Sequence, residues 1–204
     1  MKAGGLKINH NETQLRKGEP FARRSVELRE KAFGPDHPDV AADMAALAAL
    51  LDDQGKYDES EPLYRHALAV FEKVYGPEHY EVAVNLNNLA ALYHAQDKLL
   101  EARKLYTRAL AMKEKSLGKN HPDVAMALNN MAVLCAAPDQ PKKAEPLYKR
   151  ALNIFEQALG PTHPKVTTVQ KPPACATIFQ CFPSRTIFYT IRWTYRLDAS
   201  PQET

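Results

Sequence analysis

A five-residue loop motif returns four times at a fixed interval. Gly34-Pro35-Asp36-His37-Pro38 reappears as Gly76-Pro77-Glu78-His79-Tyr80, Gly118-Lys119-Asn120-His121-Pro122 and Gly160-Pro161-Thr162-His163-Pro164. Each glycine stands 42 residues after the one before it. A constant period with no insertion means that one supersecondary unit is copied and stacked. Three full units follow, at 37–78, 79–120 and 121–162. Half a unit precedes them, because Glu19-Pro20-Phe21 to Gly34 matches Glu145-Pro146-Leu147 to Gly160. A fourth unit starts at His163 and loses the pattern after Val166.

Each unit reads as two α-helices. Leu86, Leu89, Ala90 and Tyr93 are spaced i, i+3, i+4, i+7, which is one face of a helix. Met44, Leu47, Ala48 and Leu51 occupy the same places in the first unit, and Leu128, Met131, Ala132 and Cys135 in the third. A second helix is marked by Ala102, Tyr106 and Ala109, echoed by Ser60, Tyr64, Ala67 and by Ala144, Tyr148, Ala151. Small residues on both helices predict a close antiparallel crossing. Gln54-Gly55-Lys56, Gln96-Asp97-Lys98 and Asp139-Gln140-Pro141 form the turns between them.

The loop motif supplies the punctuation. Its glycine falls where a second helix ends and predicts a left-handed C-cap. The proline of His-Pro falls at the first helical position, where its missing N–H costs little. Pro62 and Pro146 fall near the start of second helices, where a mild kink at most is expected. His37, His79, His121 and His163 invite a reading as a metal row, but stacking spaces them roughly 10 Å apart. Zinc ligands must lie within about 2.1 Å of one ion. The histidines are therefore read as capping residues.

The order of small and large residues resembles the tetratricopeptide pattern, with a unit longer than the usual one of about 34 residues. Leu86-Asn87-Asn88-Leu89-Ala90, Tyr106-Thr107-Arg108-Ala109-Leu110 and Gly118 to Ala125 resemble the repeats of kinesin light chains. The resemblance covers about 19–166. It implies an all-α, right-handed superhelix, an α-solenoid whose concave groove is lined by first helices and grips cargo or adaptor peptides. It also implies a cytoplasmic, cytoskeleton-associated setting and a kinesin-type motor or cargo adaptor as partner. No coiled-coil heptads precede residue 19, which sets the chain apart from kinesin light chains that join the motor through such a segment.

Composition excludes several other classes. The 204 residues carry 27 basic and 24 acidic side chains, too even a balance for the basic footprint of a nucleic-acid binder. No stretch approaches the roughly 20 apolar residues of a membrane span. Three cysteines, Cys135, Cys175 and Cys181, make no disulfide framework and fit a reducing compartment. There is no phosphate-binding glycine loop and no nucleophile in an elbow or triad setting. The sequence calls for no enzyme activity, no cofactor and no metal.

The expected function is that of a protein-interaction scaffold. Beside each core stripe runs a second stripe: Val84, Asn87, Ala91 and His94 in unit two, and Met126, Asn129, Val133 and Ala136 in unit three. Ala42, Ala45, Ala49 and Asp52 hold these places in unit one. An asparagine side chain both donates and accepts, so it can clamp the backbone of an extended peptide. Asn87 and Asn129 are the first candidates, followed by Asn88 and Asn130, which could instead join neighbouring helices. Arg108 and Arg150 recur at one place in the second helix and are secondary candidates for an acidic ligand group. The stripe lacks the paired lysines that tetratricopeptide proteins use to hold a free C-terminus, which favours an internal peptide segment. The alternative is a structural or regulatory fragment that competes with longer relatives.

Residues 1–18 are expected to be disordered. Residues 163–204 read as a truncated repeat and an irregular tail. Lys171-Pro172-Pro173 interrupts the fourth first helix, and aromatic residues such as Phe179, Tyr189 and Trp193 follow. If ordered, that tail is expected to pack on the last second helix near Leu147, Leu152 and Phe155.

Overall fold

A computed structural model describes residues 10–135, 141–160 and 163. Seven helices follow one another: α1 (His10–Phe33), α2 (Pro38–Asp53), α3 (Tyr57–Tyr75), α4 (Tyr80–Ala95), α5 (Leu99–Leu117), α6 (Pro122–Cys135) and α7 (Pro141–Leu159). Among the described residues there is no strand. The three units are the hairpins α2–α3, α4–α5 and α6–α7, and α1 is the half unit in front of them. The first helix begins at His10, nine residues before the expected half unit. The expectations for the tail beyond His163 lie outside the described residues.

Packing runs between helices adjacent in the chain, and the first helices α2, α4 and α6 also touch one another in order. The small residues expected at the crossings are there. Ala48, Ala90 and Ala132 on the first helices have no exposed surface, nor do Ala67, Ala109 and Ala151 on the second helices. Ser60 takes the place of Ala102 and Ala144, and its Oγ donates to the carbonyl of Ala48 at 2.7 Å. That bond settles the hydroxyl inside an otherwise apolar seam. The remaining core stripe is buried as expected, apart from Met131, which is half-buried.

The loops repeat one cap at the start of each unit. His37, His79 and His121 each accept, through Nδ1, the backbone N–H two residues on, at 3.2, 3.2 and 3.1 Å. Each imidazole is thus an N-cap, satisfying one of the donors that a helix start leaves open. The last aromatic residue of the preceding helix stacks on the same ring: Phe33 on His37 at 4.8 Å and Tyr75 on His79 at 4.5 Å.

Ion pairs join the units at constant separations. Lys56 reaches Glu19 at 2.8 Å, Lys73 reaches Asp36 at 2.9 Å and Lys98 reaches Glu61 at 3.5 Å; Lys115 also bonds Glu78. All four pairs span 37 residues. The Lys56 ammonium, aided by Arg23, holds the Glu19 carboxyl down at about 2 against the opposing effect of burial. Pairs as exposed as most of these add little stability singly. Their regularity fixes register. The ladder ends at the third interface, where Asn120 and Gln157 replace its last charges.

One core position departs from the repeat. Phe71 and Phe155 are buried, but Lys113 stands in their register and is 5% exposed. Burial pushes its ammonium pKa down, while Asp123 on α6 works the other way.

The glycines are where a substitution should tell most. Gly76 and Gly118 end α3 and α5 with φ of 87° and 83° and ψ of 158° and 159°. The positive φ was expected. The ψ differs from a left-handed cap and lies in a region essentially closed to other residues. A Cβ at either glycine would meet nothing within 4 Å, so the cost of replacement is conformational and not steric. Gly76→Ala should therefore lower stability by about 1–3 kcal/mol, measured by urea denaturation. An unchanged midpoint would mean that the loop can adopt another backbone path.

Candidate functional site

First helices line one side of the array, and two kinds of position occur on that side. In α2, Ala45, Ala49 and Asp52 are 3% exposed or less. They lie in the seam between α2 and its neighbours, not on the open surface. The open stripe of α2 is Asp39, Ala42, Ala46 and Asp53, spaced i, i+3, i+7, i+14, with Asp39 and Ala46 exposed and the other two half-buried. In α4 the corresponding half-buried residues are Glu81, Val84, Asn88, Ala91 and Ala95, with His94 beside them. In α6 they are Asp123, Met126 and Val133; Asn130, in the register of Asn88, is buried, and the half-buried Asn129 stands in the register of Asn87.

The four candidate asparagines divide between these two settings. Asn87 and Asn130 are buried at 7% and 3% exposure. Asn130 Nδ2 donates to Asn87 Oδ1 at 3.2 Å across the α4–α6 seam. Asn88 and Asn129 are half-buried and sit on or beside the open stripe. A third amide was not anticipated. Asn85 Nδ2 donates to the carbonyl of Tyr64 at 2.7 Å, pinning α4 to α3. Its position carries Asp43 in unit one, where the carboxylate accepts from Ser25 Oγ at 2.5 Å and Arg29 at 2.9 Å on α1. A polar residue placed between two core positions of a first helix was the available signal.

Arg108 and Arg150 lie on the second helices and are engaged within the array. Arg108 donates to Glu72 at 2.7 Å and to the carbonyl of Pro77 at 3.3 Å. Arg150 donates to the carbonyl of Lys119 at 3.1 Å and pairs with Glu114 at 2.6 Å. His66 bonds the carbonyl of Pro35 at 3.2 Å from the same register. This recurrent side chain ties each second helix to the loop that precedes the first helix of its own unit.

At the starts of α4 and α6, Tyr80 donates its phenol O–H to the Asp123 carboxylate. Tyr80 stands where units one and three carry Pro38 and Pro122. Among the described residues no group of three or more His, Cys, Asp or Glu could hold a metal ion. None of the helices there is long and apolar enough to cross a membrane.

The arrangement defines a class: an α-solenoid of stacked helical hairpins whose first helices share one surface. The chain belongs to the tetratricopeptide repeat family, whose model matches residues 9–73, 45–115 and 81–157. No curated protein matches it. Its fold is similar to that of BtubC (BKLC) from P. vanneervenii, at 25% identity and a TM-score of 0.65, over 95% of this chain and 79% of that one. It is also similar to the nearly identical TPR-like repeats of a putative kinesin light chain from Podosopora anserina. That match has 22% identity and a TM-score of 0.65, over 92% of this chain and 88% of the other. Its structural neighbours are thus kinesin light chain-like, and tetratricopeptide repeats are protein-interaction modules.

The buried amide pair gives a test of the seam. Asn130→Ala should cost about 1–3 kcal/mol of stability, since it strips a buried group of its partner. Adding Asn87→Ala should cost less than the sum of the two single changes, as expected for residues in direct contact. Strict additivity in denaturation midpoints would show that the two amides do not bond.

Proposed function

We propose that the chain is a non-catalytic adaptor that holds an extended peptide segment of a partner protein along the α2–α4–α6 face. The observation that carries this reading is the row of half-buried residues on that face: Val84, Asn88 and Ala91 on α4, and Met126 and Val133 at the same register on α6, with half-buried Asn129 at the edge of α6. The side chains along the middle of α2 are alanines, which leave room for a ligand. The half-buried amides can bond a peptide backbone, and the apolar groups between them can take its side chains. Asn87 and Asn130 support the face from behind by holding α4 to α6. Arg108 and Arg150 serve the geometry of the array, and direct contact with the ligand is left to the first helices.

The wider role follows from the kinesin light chain-like character of the repeats. The partner is a cargo adaptor or a kinesin-type motor, and the setting is the cytoplasm near the cytoskeleton. The free, buried thiol of Cys135 fits a reducing compartment.

Calorimetry with a partner peptide tests the face. Asn88→Ala with Asn129→Ala removes two amides, each contributing roughly 0.5–1.5 kcal/mol net to binding. The double variant should bind about tenfold more weakly while keeping its helical circular dichroism and melting temperature. Unchanged affinity would remove the first-helix face from consideration.

A further inference from the structure

Among the described residues, α1 is a second helix that no first helix of its own unit covers. Counted by the 42-residue repeat, Phe21 corresponds to Leu63, Leu105 and Leu147, and Leu28 to Val70, Met112 and Ile154. In the complete units this register faces the first helix of the same hairpin. Leu63 packs with Val40, Met44 and Leu47 of α2, and Ile154 with Val124, Ala125 and Leu128 of α6. Val70, Met112 and Ile154 are buried, and the three leucines are half-buried. Phe21 is 79% exposed and Leu28 51%. Leu50 of α2 opens beside them: it is half-buried, whereas its counterparts Leu92 and Leu134 are buried in the core shared with the preceding unit.

The same face carries cations at fixed places. Arg24 stands in the register of His66, Arg108 and Arg150, which bond the carbonyls of Pro35, Pro77 and Lys119. Lys31 stands in the register of Lys73, which bonds Asp36 at 2.9 Å, and of Lys115, which bonds Glu78. All these acceptors lie in the loop that leads into the first helix of the same unit. Arg24 is bonded instead to Glu27 on its own helix, and both Arg24 and Lys31 are exposed. Gly18 takes the place of the small residues Ser60, Ala102 and Ala144, and Ser25 that of Ala67, Ala109 and Ala151. The open face therefore offers both the apolar and the polar contacts of an interface that the array makes three times.

We propose that α1 docks an amphipathic helix of a partner protein, one preceded by an acidic loop residue and lined by small side chains where it crosses α1. The acidic side chain meets Lys31, a loop carbonyl meets Arg24, and the helix lies over Phe21, Leu28 and Leu50. The docking needs no ligand on the peptide-binding face and does not rest on that reading. Affinity comes from the two large apolar side chains that leave water, and the cations set the direction in which the helix lies. A second copy entering through its own loop at 160–164 is the poorer match, since Thr162 stands there in the place of Asp36 and Glu78.

A fluorescent synthetic peptide with the sequence of Gly34–Asp53, which contains such a loop and helix, tests the docking by anisotropy on the full chain. It should bind, and Phe21→Ser with Leu28→Ser should weaken it at least about tenfold. The melting temperature should hold, because both side chains are exposed. Lys31→Glu should weaken binding by about threefold or more. A peptide carrying Asp36→Lys should regain that loss on the Lys31 variant and not on the unchanged chain. Lys104→Glu, at an exposed charge on α5, should leave the affinity as it was. Absence of binding, or binding indifferent to the Phe21 and Leu28 changes, would overturn the proposal. Equal loss in the Lys104 variant would mean general surface attraction and would overturn it too. A chain that is dimeric by light scattering, and monomeric once Phe21 and Leu28 are replaced, would give the face to a second copy and overturn the choice of partner.

Discussion

A single helical hairpin leaves one side of each helix open, and only the next hairpin in the chain can close it. That constraint governs the whole array. It requires each unit to present the same surface at the same angle, and the glycine–histidine loop meets this requirement. The glycine turns the chain through a backbone conformation that other residues cannot easily take. Four residues later the next helix starts with its imidazole cap already in place. The ion pairs at a separation of 37 residues then hold neighbouring units in register. Stability in such a chain is a sum over units and interfaces, so a fault at one seam is felt mainly by its neighbours.

Much of this was legible in the sequence because it repeats. The alanines at 48, 90 and 132 identified the close crossings, and the 42-residue spacing located every loop. What was not legible was which residues meet across the units. The salt bridges recur every 42 residues, but each joins residues 37 apart, so comparing equivalent positions does not pair their partners. Asn87 and Asn88 are adjacent and chemically identical, and only the rotation of α4 sends one into the seam and leaves the other on the open side. The early start of α1 was hidden because its first turns are polar and Pro20 lies inside it. The glycine caps showed the expected sign of φ but a different ψ, since the following loop must rise toward a new helix instead of folding back.

The division of labour between the helices links structure to function. Second helices carry the lysines and arginines, and several of these are spent on the preceding unit. First helices are left with alanines, amides and carboxylates. Lys113 is the exception inside the core, a charged residue where two other units have phenylalanine. It sits by the Tyr80–Asp123 contact, so the seam between units two and three has polar groups within it. A surface of small residues beside such seams can accept a ligand without repacking the core beneath it.

The central claim is that binding takes place on the shared face of α2, α4 and α6. Heteronuclear NMR of the full chain during titration with a partner peptide tests it directly. The account predicts that shifts concentrate in the backbone amides of those helices and in the side-chain amides of Asn88 and Asn129. Shifts confined to α3, α5 and α7, with the first helices unmoved, would contradict it.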